Sequence, residues 1–206
     1  MSVLTSAEIT RRIFSEKEPR KRLTVTPLLE PKEQIQGGSL DIRLGNHFLG
    51  FERGRLGYVD PMHQAAREAP TTERKQYVPL GQYFIVHPNQ FVLGCSLEYL
   101  GLPNDLVGYV VGRSSWGRLG LVTATAFGVH AGYRGVITLE LTNLGEVPVY
   151  IYPGWAIAQI FFHEVLPTEG DGGEPDITSY LLSVRPEPSK LSPPIRLLKL
   201  NKEAKL

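Results

Sequence analysis

The sequence predicts a mostly β fold, a barrel, sandwich or jelly roll behind one short N-terminal helix. Three observations carry that reading. From residue 23 onward the chain breaks into short runs rich in Val, Ile, Leu, Tyr and Phe: LTVTPLL, SLDIRLGNHFLGF, YFIVHPNQFVLGC, LEYLGL, LVGYVVG, LVTATAF, GVITLELTN, VPVYIYP and WAIAQIFFHEV. The 21 Gly and 16 Pro punctuate these runs, as expected of many short strands joined by turns. No helical stretch lies between them to carry a crossover, which argues against a doubly wound parallel sheet.

Taken in order, Thr5-Ser6-Ala7-Glu8 has the spacing of a capping box, and Ile9, Ile13 and Phe14 follow at helical spacing. A helix is expected over about residues 6–15, ended by the charged EKEPRK stretch and Pro19. The strand runs then continue to about residue 167. Two stretches interrupt the pattern. Residues 61–76 (PMHQAAREAPTTERKQ) are polar and read as a long excursion or mobile loop. Residues 168–176 (TEGDGGEPD) read as a hinge into a Pro-interrupted, basic-ended tail. The expected division is therefore a β domain over 1–167 and a hinge with tail over 168–206. The tail is either a frayed terminus or an arm that closes over a ligand or neighbour.

With 206 residues, one well-buried core is the expected size. The formal net charge of +1 gives no global field to attract nucleic acid, so any anion site must be a local cluster. The N-terminus lacks the apolar core of a signal peptide, and no apolar run reaches the roughly 18 residues of a membrane span. A cytoplasmic protein without membrane or nucleic-acid partners is expected. The single cysteine, Cys95, excludes an intrachain disulfide and any multi-cysteine metal site, and reads as a small buried hydrophobe. The five histidines, His47, His63, His87, His130 and His163, are scattered and form no HxH or HExxH pattern.

Two stretches carry chemistry. GRSSWGRLG, Gly112 to Gly120, places the guanidinium forks of Arg113 and Arg118 beside the hydroxyls of Ser114 and Ser115 on glycine-rich backbone. Such a turn suits phosphate oxygens, although it lacks the Lys of a P-loop, and a solvated turn with surface arginines fits equally. In GVITLELTN, Ile137, Leu139 and Leu141 alternate with Thr138, Glu140 and Thr142. Period two puts Glu140 among threonines on the face opposite the apolar residues. A carboxylate there is either on a solvated sheet face or, if that face is covered, an acid/base in a pocket.

The order of these segments resembles the dCTP deaminase branch of the dUTPase superfamily. The resemblance runs through LTSAEITRRI, QIQGGSLDIRLGNHF, HPNQFVLGCSLEYLGLPNDLVGYVVGRSSWGRLGL and GYRGVITLELTNLGEVPVYIYPGWAIAQIFF. It implies a dUTPase-like distorted β-barrel or jelly roll, assembled as a homotrimer with active sites between subunits. It implies hydrolysis of dCTP to dUTP and ammonia without zinc, with Mg²⁺ travelling on the triphosphate. No His/Cys set of the zinc nucleobase deaminases is present. Glu140 would be the acid/base, with Ser114 and Arg118 at the reacting end. Arg113, Ser114 and Ser115 would hold the triphosphate. Ala126 would offer backbone to the base, and Tyr133 would pack on the deoxyribose. Gln159 matches a barrel glutamine of unassigned role.

The chain also departs from that pattern. His130 stands where the family has an acidic residue before the G-[WFY]-x-G turn, in Val129-His130-Ala131-Gly132-Tyr133. In dUTPases that acid serves the water attacking the α-phosphate; in the deaminases it contacts the 3′-hydroxyl, which a histidine could also reach. In the tail, YLLSVRPEPSKL keeps Tyr180, Pro186, Ser189 and Lys190 of the family's closing segment. Leu181 and Ser183 replace its glutamines, and Ser179 replaces a lysine. Tyr180 and Lys190 are thus expected substrate contacts. A bifunctional enzyme releasing dUMP is the alternative that the missing acid argues against; the altered tail and His130 motivate a second alternative, a non-catalytic deoxynucleotide-binding module.

Overall fold

A computed structural model describes residues 2–53, 71–165 and 182–190. The N-terminal helix is α1, Ser6–Thr10. Thr5 caps it, its hydroxyl oxygen accepting the Glu8 backbone N–H at 3.2 Å. The chain continues through a wider π turn, Arg11–Ser15, so the expected helix span holds while its hydrogen-bond pattern changes midway. Ile9 and Ile13 enter the core; Phe14, five residues beyond Ile9, falls off that face and is exposed. Arg12 pins the helix to the barrel. Its guanidinium is almost fully buried and donates to Asp105 at 2.8 Å and to the Lys21 carbonyl at 2.8 Å.

Thirteen strands follow among the described residues. They are β1 Thr24–Thr26, β2 Ile35–Gln36, β3 Ser39–Arg43, β4 His47–Arg53, β5 Thr71–Tyr77, β6 Phe84–Val86 and β7 Phe91–Gly101. The rest are β8 Leu106–Gly112, β9 Leu121–Thr123, β10 Gly128–Val129, β11 Arg134–Asn143, β12 Val149–Ile151 and β13 Ala156–Glu164. Two short helices, α2 Pro31–Gln34 and α3 Ser114–Gly117, lie between strands. One sheet runs β10-β8-β13-β3-β2 and another β5-β4-β7-β11-β9, with β1 added to β7; β12 and β6 pair separately. Every ladder pairing is antiparallel, as a meandering chain of short strands requires. The antiparallel sheets give the mostly β fold that the pattern predicts, and they fit the distorted dUTPase-like barrel or jelly roll that the resemblance implies.

Alternation sets what faces inward. Leu40 and Ile42 on β3, Leu139 and Leu141 on β11, and Ile160 and Phe162 on β13 are all fully buried. Their neighbours Asp41, Glu140 and Gln159 are half-exposed on the outer faces. Between the sheets, Glu98 of β7 is fully buried and accepts the Arg43 backbone N–H at 2.9 Å and Arg43 Nε at 2.7 Å. Gln34 Nε2 adds a third bond at 3.1 Å, so α2, β3 and β7 are tied at one carboxylate.

Residues 71–76, expected within a polar excursion, instead belong to β5, paired with β4 through its length. The stretch has no apolar face, so nothing in its pattern announces a strand; an edge position, where the backbone of β4 supplies the partner, does not need one. Residues 54–70 lie outside the described residues, as does the expected hinge at 168–176. Of LVTATAF only 121–123 is strand, and LEYLGL simply continues β7. Gly120 closes the arginine-serine turn with φ +86°, and a Cβ there would fall 2.8 Å from the Gly145 nitrogen.

Candidate functional site

The arginine-serine segment sits at the end of β8. Its backbone is fixed on β13, because the Arg113 N–H donates to the Ile157 carbonyl at 3.1 Å. What reads as a glycine-loosened loop is the short helix α3, with the Arg113 carbonyl accepting the Trp116 N–H at 3.1 Å. Ser114, Ser115 and Arg118 are exposed. Trp116 turns inward, and its indole N–H donates to the Ala156 carbonyl at 2.8 Å. Arg113, Ser115, Trp116, Leu119, Trp155 and Ala156 line an open depression. Trp155 is 58% exposed at its rim and stacks on Tyr152 at 5.0 Å.

Arg113 already has a partner. Its Nη1 donates to Oδ2 of Asp41, which projects from the middle of β3. Asp41 lies in register with Gln159 on β13, which in turn lies in register with Val111 on β8. Antiparallel partners share a face, so Gln159 and Asp41 stand side by side on the outer face of this sheet, beside the arginine. Asp41 did not stand out among the candidate residues of the sequence. Its signal was a charged side chain at mid-strand between two core residues, Leu40 and Ile42.

Glu140 occupies the outer face of the other sheet. Its backbone is locked on both sides: its N–H donates to Thr125 Oγ1 at 3.0 Å, and its carbonyl accepts the Ala124 N–H at 2.8 Å. The side chain is half-buried between those of Thr138 and Thr142, as the period-two pattern predicts. Thr123, paired with Leu141, points the other way; its side chain is what a Cβ on Gly112 would meet, at 3.2 Å. Within one chain Glu140 and Arg113 therefore project from outer faces of different sheets.

Ala126 is exposed between β9 and β10, and His130 is exposed just after β10. Tyr133 is partly buried, its hydroxyl donating to the Val136 carbonyl at 2.6 Å. Burial, with Glu187 nearby, pushes its phenol up to about 12, so it stays neutral. The described part of the tail lies along the start of β11. The Leu182 N–H donates to the Arg134 carbonyl at 2.6 Å, and the Val136 N–H to the Ser183 carbonyl at 2.8 Å. Ser183, which stands in place of a family glutamine, donates to Glu187 Oε1 at 2.7 Å. The Glu187 N–H reaches Thr138 Oγ1 at 3.5 Å, and Lys190 pairs with Glu187. The tail thus runs over the face that carries Glu140. Tyr180 lies outside the described residues. Cys95 is buried, and loss of water pushes its thiol up to about 11, which fits an inert core residue.

Among the described residues no helix is long and apolar enough to cross a membrane. Residues 3–165 match the sequence profile of the dCTP deaminase-like family. A dCTP deaminase of Natronomonas pharaonis is 39% identical over 191 residues, covering 92% of this chain and 94% of its own. A protein of Methanobrevibacter smithii named dCTP deaminase, dUMP-forming, is 39% identical over 173 residues, covering 82% of this chain and 88% of its own. Among solved structures, the 2′-deoxycytidine 5′-triphosphate deaminase of Agrobacterium tumefaciens superposes with a TM-score of 0.54 at 26% identity. That match covers 78% of this chain and 47% of the other, longer one. With the profile spanning most of the barrel and relatives of this identity along nearly the whole chain, the protein belongs to the dCTP deaminase-like family.

Proposed function

We propose that this chain hydrolyses dCTP to dUTP and ammonia, at sites completed between neighbouring copies of a homotrimer. The observation that carries the reading is Glu140: a carboxylate held at mid-strand by two backbone hydrogen bonds, half-sheltered among threonines, next to the exposed run that ends β9. Glu140 takes a proton from a water as its oxygen attacks C4 of the cytosine; the C4–N3 double bond opens and N3 receives that proton. Glu140 then carries the proton of the new C4 hydroxyl to the amine, the C4–N4 bond breaks, C4 becomes a carbonyl, and ammonia leaves. Arg113, Ser114, Ser115 and Arg118 hold the phosphates, and Ser114 and Arg118 reach toward the reacting end. Because Glu140 and Arg113 face outward from different sheets of one chain, a single site draws them from two copies. The backbone at Ala126 meets the base, Tyr133 and His130 lie on the sugar side, and the tail, through Tyr180 and Lys190, closes the site.

Mg²⁺ would arrive on the triphosphate. The donor set fits that arrangement better than a protein cage. Among the described residues no three His, Cys, Asp or Glu side chains are placed to hold a metal ion, and the carboxylate beside the clamp, Asp41, is engaged by Arg113. The dUTP product, rather than dUMP, is proposed on His130. The turn lacks the acid that serves the water attacking the α-phosphate in dUTPases, and that loss argues against a second hydrolysis. Incubation with dCTP and Mg²⁺ should release ammonia and dUTP with no diphosphate. Diphosphate release equal to ammonia would make the dUMP-forming reading correct, and no ammonia would sink the proposal.

The chain's two tryptophans, Trp116 and Trp155, both line the clamp depression. Intrinsic fluorescence should therefore change on titration with dCTP, and W155F should lose most of that change. In the same titration R113A should weaken dCTP binding about 10- to 100-fold, the scale of lost charge-assisted hydrogen bonds of about 1.5–3 kcal/mol. Affinity within twofold of wild type would place the phosphates elsewhere.

A further inference from the structure

We propose that Asp41 is the positioning residue of the phosphate clamp: from β3, across β13, it holds the Arg113 guanidinium in its anion-binding orientation. The inference rests on the clamp reading above and names the residue that makes it work. Arg113 is tethered at both ends. Its backbone is bound to β13 through Ile157, and its guanidinium is bound to β3 through Asp41. The ion pair spans β13 and stays accessible, with the arginine side chain 38% and the aspartate 22% exposed. A guanidinium carries five N–H donors in a rigid fork, so the N–H groups that Asp41 leaves free can still meet phosphate oxygens.

Two opposite effects follow from a carboxylate in this place. It removes the rotamer freedom of a long side chain before the ligand arrives, which favours binding. It also puts a negative charge beside an anion site, which opposes binding. The geometry favours the first. The carboxylate projects from β3, across β13 from the arginine and in register with Gln159, and its charge is already neutralised by the partner it orients. A free arginine on the end of a β-strand would have to be ordered by the ligand itself.

The test is tryptophan fluorescence titration with inorganic triphosphate and with dCTP, alongside steady-state kinetics, on D41A, D41N, R113A and D41A/R113A. The expected result is a roughly 3- to 10-fold loss of triphosphate affinity in D41A, the scale of ordering one rotamer-rich side chain. D41N, which keeps an oxygen acceptor of the same shape, should restore part of the loss. KM for dCTP should rise with kcat within about twofold. In the R113A background D41A should add nothing, since its effect passes through the arginine. Tighter binding in D41A and D41N would overturn the inference and make Asp41 a competitor of the ligand. Unchanged binding in D41A, with R113A weakened, would overturn it while leaving the clamp intact. If R113A itself binds triphosphate normally, the clamp reading falls and Asp41's role falls with it.

Discussion

E140Q should fold, bind dCTP within about threefold of wild type and lose turnover by about 10²- to 10⁴-fold, the range of positioned acid–base catalysis. The physical asymmetry is clean. Gln has the same shape and should keep the strand, because the bonds that fix position 140 run through its backbone to Thr125 and Ala124. An amide cannot take the proton of the attacking water or return one to the amine. Ammonia release measured beside a fluorescence titration separates the two effects. Retained turnover would remove Glu140 from the chemistry, whereas lost binding would make it a ligand contact first.

The same variant tests the sharing of the site. If Glu140 of one copy acts on a nucleotide held by Arg113 of another, two crippled chains can complement each other. Mixing E140Q with R113A under conditions that exchange subunits should recover up to about a quarter of the wild-type rate, because that fraction of sites pairs both intact residues. Sites built within one chain would give no recovery above the sum of the separate variants.

The sequence made the fold legible wherever burial imposes a period. β11 is the plainest case: Ile137, Leu139 and Leu141 face the core, and Glu140 stands where alternation puts it. β5 was hidden because an edge strand held by backbone bonds needs no apolar face. The arginine-serine turn was visible as a cluster of donors, while its helical form was not, since four residues are too few to show a period. Asp41 was overlooked because a mid-strand charge is informative only when its partner is known. That partner, Arg113, is 72 positions away in sequence and meets it only once β3 and β8 flank β13. The N-terminal helix was marked by its cap, but the burial of Arg12 depends on Asp105, 93 positions away in the chain.

E98A should cost about 3–5 kcal/mol of stability, a large share of the roughly 5–15 kcal/mol that holds a domain folded. Glu98 has no exposed surface, and burial pushes its carboxyl up while Arg43 pulls it back toward the charged form. Truncation leaves the buried Arg43 guanidinium without its carboxylate, and the Arg43 N–H and Gln34 amide without their acceptor. The loss should be read as a lower urea midpoint with an unchanged slope. E98Q keeps the volume and one acceptor, so it should fall between Ala and wild type. The double variant R43M/E98L removes both charges together and should recover much of the single-variant loss, because the expensive step is stranding one buried charge. Arg43 is two residues from Asp41 on the same strand, so the network that stabilises the barrel also fixes the strand behind the clamp. E98A should therefore weaken triphosphate binding even at temperatures where it remains folded. A variant that melts early yet binds normally would separate the two roles and show that β3 keeps its place without the buried carboxylate.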